Sequence, residues 1–412
     1  MIRKGTFRIA ARKYAPFEQA IRAQWQAFEA KARTGLTLDL VSLDLHPLEE
    51  TLFTTDGMRN GNWDVAFVAT DWISAMHAQG CALDLSPLLA AQPPQDYPNG
   101  WADSLLRLQH IDGAILGVPY HDGPECLIYR RDLFEDPDLC ALYQQQFHEP
   151  LAPPQTWKTF HRVARFLHQP SRQLYGTVFA AFADGHNSVY DFLLQLWTRG
   201  GSLFESTGRI HFETQHAIEA LDFYRQILSD HDAVHPKCCT LDSVHAGLAF
   251  AAGHVAMMIN WFGFATMAQT SHDSAVRGLV NVANIPHAEH HPAASLNVYW
   301  ILSIAVGSHH PEHAWKFLRH TLTPEMDKLT TLSGAIGCRR STWIDPEVNT
   351  AIPFYHRIEQ LHAQAREIPQ RPDWPRIARI IDALVTATIT TSTPTRELLH
   401  QADNQAATMQ SA

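Results

Sequence analysis

Aromatic residues stand beside hydrogen-bonding residues where several predicted strands end. The pairs at three of these ends are Asp71 and Trp72 after WDVAFVAT, Tyr120 and Asp122 after GVP, and Asn260 and Trp261 at the end of VAMMINW. In open α/β sheets, ligands bind at the carboxyl ends of the strands. We therefore predict that these pairs contribute to a ligand-binding site, in which the ring supplies an apolar face and the polar group supplies a hydrogen bond.

Each of these pairs also has an ordinary structural interpretation. Asp71 is suited to a helix N-cap followed by a core tryptophan at position 72. Tyr120 and its neighbours suit a hinge turn, and Trp261 could pack against FGFATM as a plug. Both interpretations stay open at the level of sequence.

Eight further residues lie near the ends of other predicted elements. They complete the candidate ring: Tyr14, Asp184, His186, Asn187, Trp197, Asn297, Tyr299 and Arg339. Trp197 belongs to the apolar run LLQLW, and a tryptophan on an amphipathic helix packs in the core more often than it contacts a ligand.

The 25 histidines of the chain raise the question of a metal site. They are densest in HAEHH, which holds His287, His290 and His291, and in HHPEH, which holds His309, His310 and His313. Histidines at this spacing ligate a metal well on a regular helix, but both clusters adjoin prolines in predicted connections. We therefore predict solvated loop histidines, no metal and no cofactor.

The sequence also lacks the patterns that mark common enzymes. No GxSxG, HExxH, P-loop or GxGxxG stands in a supporting structural context. Two carboxylates that face each other, as in a glycosidase, remain a distant alternative that spacing in sequence does not test. We predict no catalytic residues.

The elements that position the candidates alternate between strand and helix periods, which is typical of an α/β architecture. FRIAA precedes a predicted helix in which Phe17, Ile21, Trp25 and Phe28 share one face and which ends at Gly35. A second α/β set begins at PPQTWKTF, with Thr156 as the predicted N-cap.

The amino-acid composition limits the classes of binding partner. The chain has 412 residues, 45 % of them hydrophobic, and a formal net charge of −10, which disfavours nucleic acid and anionic membranes as main partners. No apolar run reaches the roughly 20 residues that span a bilayer. The first residues show no apolar signal core, so a cytoplasmic protein and one whose signal peptide was removed both stay open. The six cysteines match neither a zinc site nor a redox motif, and we expect free thiols, with one or two disulfides as the alternative.

Ordered landmarks along the chain resemble the extracellular solute-binding proteins of ABC importers, in the branch that includes maltose-binding and other sugar-binding members. The landmarks are WDVAFVATDWISAMHAQGCALDLSPLL, GAILGVPY, PPQTWKTF, LWTRGGSLF, FAAGHVAMMINWFG, LSIAVGSHHPEHAWKFLRH and LSGAIGCRRSTW. Each is weak alone, but the ordered set extends over nearly the whole chain, from about residue 7 to residue 402.

The resemblance implies an α/β, periplasmic-binding-protein-like type II fold, with two lobes joined by a multi-strand hinge and a ligand cleft between them. We expect residues 1–119 and 262–322 to form the N-terminal lobe and residues 120–261 and 323–412 the C-terminal lobe. Closure of the lobes on the ligand is the implied mechanism. Tyr120 stands where the family commonly places a cleft aromatic residue.

The resemblance further implies a periplasmic or cell-surface monomer that binds a sugar and delivers it to ABC transporter permease subunits. Sugars stack on aromatic rings and hydrogen-bond to planar polar groups. Because the candidate ring holds three aspartates and a single arginine, we expect a neutral ligand. A sugar sensor that presents its closed form to a chemoreceptor or histidine kinase is the alternative, and a glycan-active enzyme is a remote one.

Overall fold

The computed structural model describes residues 5–410. The strands among these residues are β1 (Thr6–Arg12), β2 (Thr37–Leu43), β3 (Val65–Ala69), β4 (His110–Ile111), β5 (Ala114–Ile115), β6 (Val118–His121), β7 (Glu125–Arg130), β8 (Tyr175–Val178), β9 (Val255–Trp261), β10 (Val280–Ala283), β11 (Ser295–Asn297), β12 (Trp300–Ile304) and β13 (Ala365–Glu367). They fall into two larger sheets and two short two-stranded ones, β4 with β5 and β11 with β13.

Helices make up much of the remaining chain. The first ten are α1 (Ala15–Ala32), α2 (Leu45–Glu49), α3 (Ile73–Gln79), α4 (Ser86–Ala91), α5 (Asp103–Leu108), α6 (Arg131–Phe134), α7 (Pro137–Phe147), α8 (Trp157–Leu167), α9 (Asn187–Trp197) and α10 (Gln215–Leu228). The others are α11 (Ser243–Ala251), α12 (Phe262–Thr270), α13 (Pro311–Thr321), α14 (Pro324–Leu332), α15 (Arg340–Trp343), α16 (Pro346–Ala351), α17 (Ile358–Ala363), α18 (Trp374–Thr390) and α19 (Thr395–Gln410). A π-helical turn covers Glu50–Thr54, and 3₁₀ turns cover Thr70–Trp72, Pro170–Arg172, Cys238–Thr240 and Tyr355–Arg357.

The chain divides into two compact units. Within the described residues, unit 1 comprises residues 5–124, 297–362 and 367–372, and unit 2 comprises residues 125–296, 363–366 and 373–410. Unit 1 is built on the sheet β2-β1-β3-β12-β6, and unit 2 on the sheet β10-β7-β9-β8. In unit 1, β1 pairs in parallel with β2 and β3, whereas β12 runs antiparallel to β3 and β6. Both sheets carry strands that are almost wholly buried, as the apolar runs of β3 and β9 predict.

Helix α1 illustrates how the sequence pattern becomes packing. Phe17, Ile21, Trp25 and Phe28 are all buried, which confirms the predicted apolar face. The helix ends earlier than the predicted Gly35, because Arg33 adopts a left-handed φ of 48° and its N–H donates to the Glu29 carbonyl. Thr156 is the N-cap of α8, as predicted, since its hydroxyl accepts a hydrogen bond from the Thr159 N–H at 3.2 Å.

The division between the units differs from the predicted one. Residues 262–296 stay in unit 2, because β10 pairs with β7 from Val280 opposite Arg130 to Ala283 opposite Leu127. Residues 323–362 stay in unit 1, where the Gln24 side chain of α1 donates to the Met326 carbonyl and the Thr330 hydroxyl of α14. The first crossing follows Pro124, a few residues beyond the predicted one.

Two further findings concern membrane-spanning helices and the cysteine side chains. No helix within residues 5–410 is long and apolar enough to cross a membrane. All six cysteines are free thiols, and Cys239 alone among them is exposed.

Candidate ligand-binding site

In unit 2, an aromatic pair and a buried carboxyl lie at one end of the sheet. Glu125 at the start of β7 is the pairing partner of Trp261 at the end of β9. Directly opposed residues of antiparallel strands project from the same face, so the two side chains share one side of the sheet. The Trp261 ring, which is partly exposed, meets the Tyr190 ring of α9 edge to face, with centroids 5.6 Å apart. These three residues form what we call the unit 2 cluster.

Asn260 does not join this cluster. Neighbouring residues of a strand point to opposite faces, and the Asn260 side chain is 1 % exposed. Its amide donates to the Ser243 carbonyl at 2.9 Å, and its oxygen accepts from the Trp261 N–H at 2.8 Å. Asn260 therefore fixes the end of β9, and this placement favours a structural role over ligand contact.

The start of α9 brings three predicted residues together. The Asp184 carboxylate accepts from the N–H groups of His186 and Asn187, and the Asn187 amide donates to the same carboxylate at 2.5 Å. The Asn187 oxygen accepts from the Ser243 N–H. The His186 ring lies 5.8 Å from the Tyr190 ring, so this turn adjoins the unit 2 cluster.

Two buried acids of this region have raised pKa values. Burial, with repulsion from Asp191, raises the pKa of Glu125 well above its usual value. Burial also raises the pKa of Asp191 from 3.8 to about 7, although a hydrogen bond from the Tyr224 hydroxyl opposes the change. Oε2 of Glu125 has no hydrogen-bond partner within residues 5–410. A neutral Glu125 can therefore offer both a donor and an acceptor to a ligand hydroxyl.

Trp197 lies deep in unit 2. It is 6 % exposed, and the Arg366 guanidinium stacks over its ring at 4.9 Å. It follows Tyr190 by seven residues on the same face of α9, which places it two turns or about 10 Å further along the helix. This position favours packing for Trp197 and leaves Tyr190 as the ring that adjoins Trp261.

In unit 1, rings gather where β3 and β6 end and β12 begins. Trp300 pairs with Ala69 and His121 in the sheet, and its ring meets Trp72 edge to face at 5.7 Å. Trp72 is 5 % exposed, whereas Trp300 and Asp71 are partly exposed. Trp300 is thus the more accessible ring of this pair.

His121 and Tyr14 extend the same group of rings. The His121 ring lies 4.7 Å from Phe17 and 6.3 Å from Tyr14. Burial lowers the pKa of His121 to about 3, and its Nδ1 accepts a hydrogen bond from the Ile336 N–H at 2.9 Å. Both observations define a neutral imidazole with the proton on Nε2, which is suited to donate to a ligand oxygen. The Tyr14 hydroxyl donates to the Gly334 carbonyl at 3.4 Å.

Three other predicted residues of unit 1 are packed into its interior. The Tyr120 hydroxyl donates to the Gln24 side chain at 3.0 Å, and Tyr120 is 3 % exposed. The Tyr299 hydroxyl donates to the Leu105 carbonyl. The Asn297 amide donates to the Ser104 carbonyl at 3.2 Å. Tyr120 and Tyr299 use their hydroxyls, and Asn297 its amide nitrogen, to bond core or backbone partners, which favours a structural role.

Asp122 belongs to a hydrogen-bonded chain inside unit 1. Its carboxylate lies 2.6 Å from Nε2 of His362, and the Ser104 hydroxyl lies 3.0 Å from Nδ1 of the same ring. Serine, imidazole and carboxylate in this order are the groups that activate a hydroxyl in hydrolases. However, the neighbouring surface cavity of about 850 Å³ is lined by Asp103, Leu106 and Arg107, and not by Ser104. We interpret these hydrogen bonds as a structural contact inside unit 1.

Arg339 is enclosed, and both of its terminal guanidinium nitrogens are hydrogen-bonded. It is 1 % exposed, and its guanidinium stacks over the Trp101 ring at 4.5 Å. The guanidinium donates to the carbonyls of Gln95 and Leu322 and to the Asp96 carboxylate, each at about 3 Å. This set of partners holds the segment around residues 95–101 and favours a structural role over ligand contact.

The two histidine clusters lie in or next to loops. No group of three histidine, cysteine, aspartate or glutamate residues is placed to hold a metal ion in the part of the chain that the structure describes.

Sequence reasoning missed four residues that the structure brings to these groups: Glu125, Tyr190, Asp191 and Trp300. Two of them had a usable signal, because Glu125 and Asp191 are lone acids in the apolar stretches ECLIY and VYDFLLQLW. A charge that interrupts a buried run is costly and is usually retained for a purpose.

Comparisons with known proteins agree with this architecture. A sequence profile of the family described as bacterial extracellular solute-binding protein matches residues 11–328, and the chain belongs to this family. Its fold is that of two-lobe, maltose-binding-protein-like solute-binding proteins.

Solved structures align over nearly the whole chain. Maltose-bound MalE3 of T. maritima has a TM-score of 0.85 at 19 % identity, covering 98 % of this chain and 99 % of that one. A ribitol-bound ABC transporter solute-binding protein of Agrobacterium radiobacter K84 has a TM-score of 0.85 at 22 % identity, with the same coverage. A mannitol-bound one of Agrobacterium vitis S4 has a TM-score of 0.84 at 18 % identity, covering 98 % of both chains.

Proposed function

We propose that this chain is the solute-binding component of an ABC importer, that it binds a neutral sugar or polyol, and that it delivers this ligand to permease subunits. Family membership supports the transport role, and the maltose, ribitol and mannitol bound to proteins of the same fold support the ligand class. We further propose that the protein acts as a monomer in the periplasm or at the cell surface, in keeping with an extracellular family.

The unit 2 cluster is the observation that supports sugar binding most directly. Trp261 presents a partly exposed ring, which the buried Tyr190 ring holds edge to face, and a sugar places its C–H groups against such a face. Glu125 projects from the same side of the sheet as Trp261 and retains an unpaired carboxyl oxygen within residues 5–410. An apolar face beside an unsatisfied polar group matches a molecule with C–H patches and hydroxyls.

A second group of suitable side chains lies in unit 1. Trp300 offers a partly exposed ring, Asp71 a carboxylate, and His121 an Nε2–H group. We propose that these three residues also contact the ligand. Their chemistry repeats that of unit 2, with an apolar face, an acceptor and a donor.

A thermal-shift screen against neutral sugars and polyols tests the proposed function. A ligand at 100 times its dissociation constant stabilises the folded protein by about 2.7 kcal/mol, which is readily detected as a higher melting temperature. We expect at least one neutral sugar or polyol to raise the melting temperature, and calorimetric titration then gives its affinity. The proposal would be contradicted if only amino acids, peptides or anions raised the melting temperature.

We expect neutral sugars to bind more tightly than the matching uronic acids. Arg339 was the one predicted cation of the site, and its guanidinium is committed to Asp96 and two carbonyls. The polar groups left for a ligand include the Asp71 carboxyl, which repels an anion when ionised, and the Glu125 carboxyl, whose raised pKa favours its neutral form. Titration of a sugar and its uronic acid under the same buffer conditions measures the difference, and tighter binding of the acid would contradict this expectation.

We expect ligand binding to make the protein more compact. Proteins with this fold close around their ligands, so a saturating ligand shifts the population toward a closed form. Small-angle X-ray scattering with and without a confirmed ligand should show a smaller radius of gyration in its presence. An unchanged radius at saturation would instead support binding to a rigid pocket.

A further inference from the structure

A cavity on unit 2 is lined by helices and connecting segments and by no residue of a strand. Its volume is about 1120 Å³, and it is bordered by α7, α8, α10 and the segment that follows α9. The rings of Phe147, Trp157, Phe166 and Phe223 line it. None of the residues of the unit 2 cluster contributes to this lining. We call this cavity the α8 groove.

The α8 groove also contains a buried cation. Arg199 lines it and is 5 % exposed. Its guanidinium lies 5.7 Å from the Trp157 ring and 5.1 Å from the Phe223 ring. One guanidinium nitrogen donates to the backbone and side-chain oxygens of Gln195, at 2.8 and 2.6 Å. Among residues 5–410, no carboxylate lies within ion-pair distance of Arg199.

This guanidinium remains charged at neutral pH. Burial lowers the pKa of Arg199 to about 10, and the nearby Glu219 opposes this change. A pKa of about 10 leaves the group protonated in neutral solution. Burying a charge is costly unless it is paired, and Gln195 supplies only neutral acceptors.

The other cations of the groove differ from Arg199 in their partners. Arg162 pairs with Glu149, and Arg165 lies 3.4 Å from Asp230 and 3.6 Å from Asp232. Lys158 lies exposed at the rim. Carboxylates thus already pair with Arg162 and Arg165, and Arg199 is the buried cation of the lining that has none within ion-pair distance among the described residues.

The position of Arg199 after α9 offers a structural explanation for part of this arrangement. A cation near the last carbonyls of a helix is favoured by the helix dipole, and the Gln195 carbonyl belongs to the last turn of α9. That effect is confined to the last turn of the helix. It accounts for one edge of the guanidinium and not for a large, aromatic-walled cavity around it.

We propose that the α8 groove is a second ligand site, which binds a small molecule that carries one anionic group on a planar, apolar body. The anionic group pairs with Arg199, and the planar body packs between the aromatic rings of the walls. A small aromatic carboxylate has both of these features, and we propose it as the ligand class. This site is separate from the proposed sugar site and does not depend on it.

The test uses 2-naphthoate and its neutral amide as probes on the full chain. Nitrogen-15 NMR of the tryptophan indole groups locates the binding, because the Trp157 indole N–H donates to the Thr198 hydroxyl at 2.8 Å beside the groove. The Trp157→Phe variant identifies the resonance. We expect 2-naphthoate to shift this resonance in a saturable way and to bind at least tenfold more tightly than 2-naphthamide.

Variants of Arg199 test the role of the charge. Arg199→Gln keeps a hydrogen-bonding group but removes the charge, and we expect at least tenfold weaker binding of 2-naphthoate. Arg199→Lys keeps the charge and should retain more of the affinity, and Lys158→Ala at the exposed rim should change it less than Arg199→Gln does. Sugar affinity and the ligand-free melting temperature of each variant verify that the fold is intact.

The outcomes separate the proposal from its alternatives. Equal affinities for the acid and the amide, or an unchanged Trp157 resonance at saturating 2-naphthoate, would overturn it, and both measurements use the unmodified protein. Normal binding by a folded Arg199→Gln variant would show that the arginine serves only the end of α9. Failure to bind any sugar would count against the proposed function alone, because the α8 groove is tested with its own probes.

Discussion

Replacing Trp261 with alanine is expected to weaken binding of a confirmed sugar ligand by at least tenfold. The ring is partly exposed at the end of β9 and is positioned by its edge-to-face contact with Tyr190. A sugar that covers on the order of 80 Å² of such a ring gains about 2 kcal/mol at about 25 cal/mol per Å², which is roughly thirtyfold in affinity. Calorimetric titration of the variant measures this loss directly.

Two other variants establish that the effect belongs to the ligand site. Trp261→Phe keeps an aromatic face and should give an intermediate affinity. Trp197→Ala removes a ring that is buried under Arg366, so it should cost about 3 to 5 kcal/mol of stability. A Trp261→Ala variant that binds normally but melts far lower than the original protein would place Trp261 in the core instead.

The elements of the fold were largely predictable, because their patterns are local. The period of Phe17, Ile21, Trp25 and Phe28 predicts a helix with one buried face, and the structure confirms it. The assignment of segments to units was less predictable. GLVNVANIP reads as a strand from its own residues, but only its pairing with β7 shows that it belongs to unit 2.

Adjacency in sequence was a poor guide to adjacency in the site. Asn260 and Trp261 looked like an amide beside an indole, yet the alternation of a strand sends them to opposite faces. The same alternation separates Tyr299, which is 1 % exposed, from the partly exposed Trp300. The strand assignments already implied this alternation, so the more accessible ring of each pair could have been inferred before the structure was known.

Other site residues could not be assigned from the sequence because their partners are distant along the chain. Arg339, which follows GAIGC, was included in the candidate ring as its single arginine. Its carboxylate partner, Asp96, is 243 residues away along the chain, and the His362 partner of Asp122 is 240 residues away. Such pairs depend on the packing of distant segments, and nothing in the local sequence reveals that a charge is already neutralised.

Replacing Asp191 with asparagine is expected to stabilise the protein, and to do so more strongly as the pH rises. Burial raises the pKa of Asp191 from 3.8 to about 7, so the folded protein holds this proton more tightly than the unfolded chain does. The sign follows from linkage: the contribution of Asp191 to stability is lost as the pH increases from about 4 to about 7. At pH 8 the loss amounts to about 4 kcal/mol, and asparagine, which carries no charge at any pH, avoids it.

The difference between Asp191→Asn and the original protein should therefore grow by about 2 to 3 kcal/mol between pH 5 and pH 8. For a unit of this size, that corresponds to a change of about 5 to 10 °C in the melting-temperature difference between the two proteins. Asparagine can still accept the hydrogen bond from Tyr224, so the packing of α9 against α10 is retained. Asp273→Asn, at an exposed position of the same unit, controls for the loss of one negative charge. Parallel melting-temperature curves for Asp191→Asn and the original protein over this pH range would mean that the Asp191 carboxyl is solvated or paired in the folded protein. That outcome would contradict the raised pKa of Asp191.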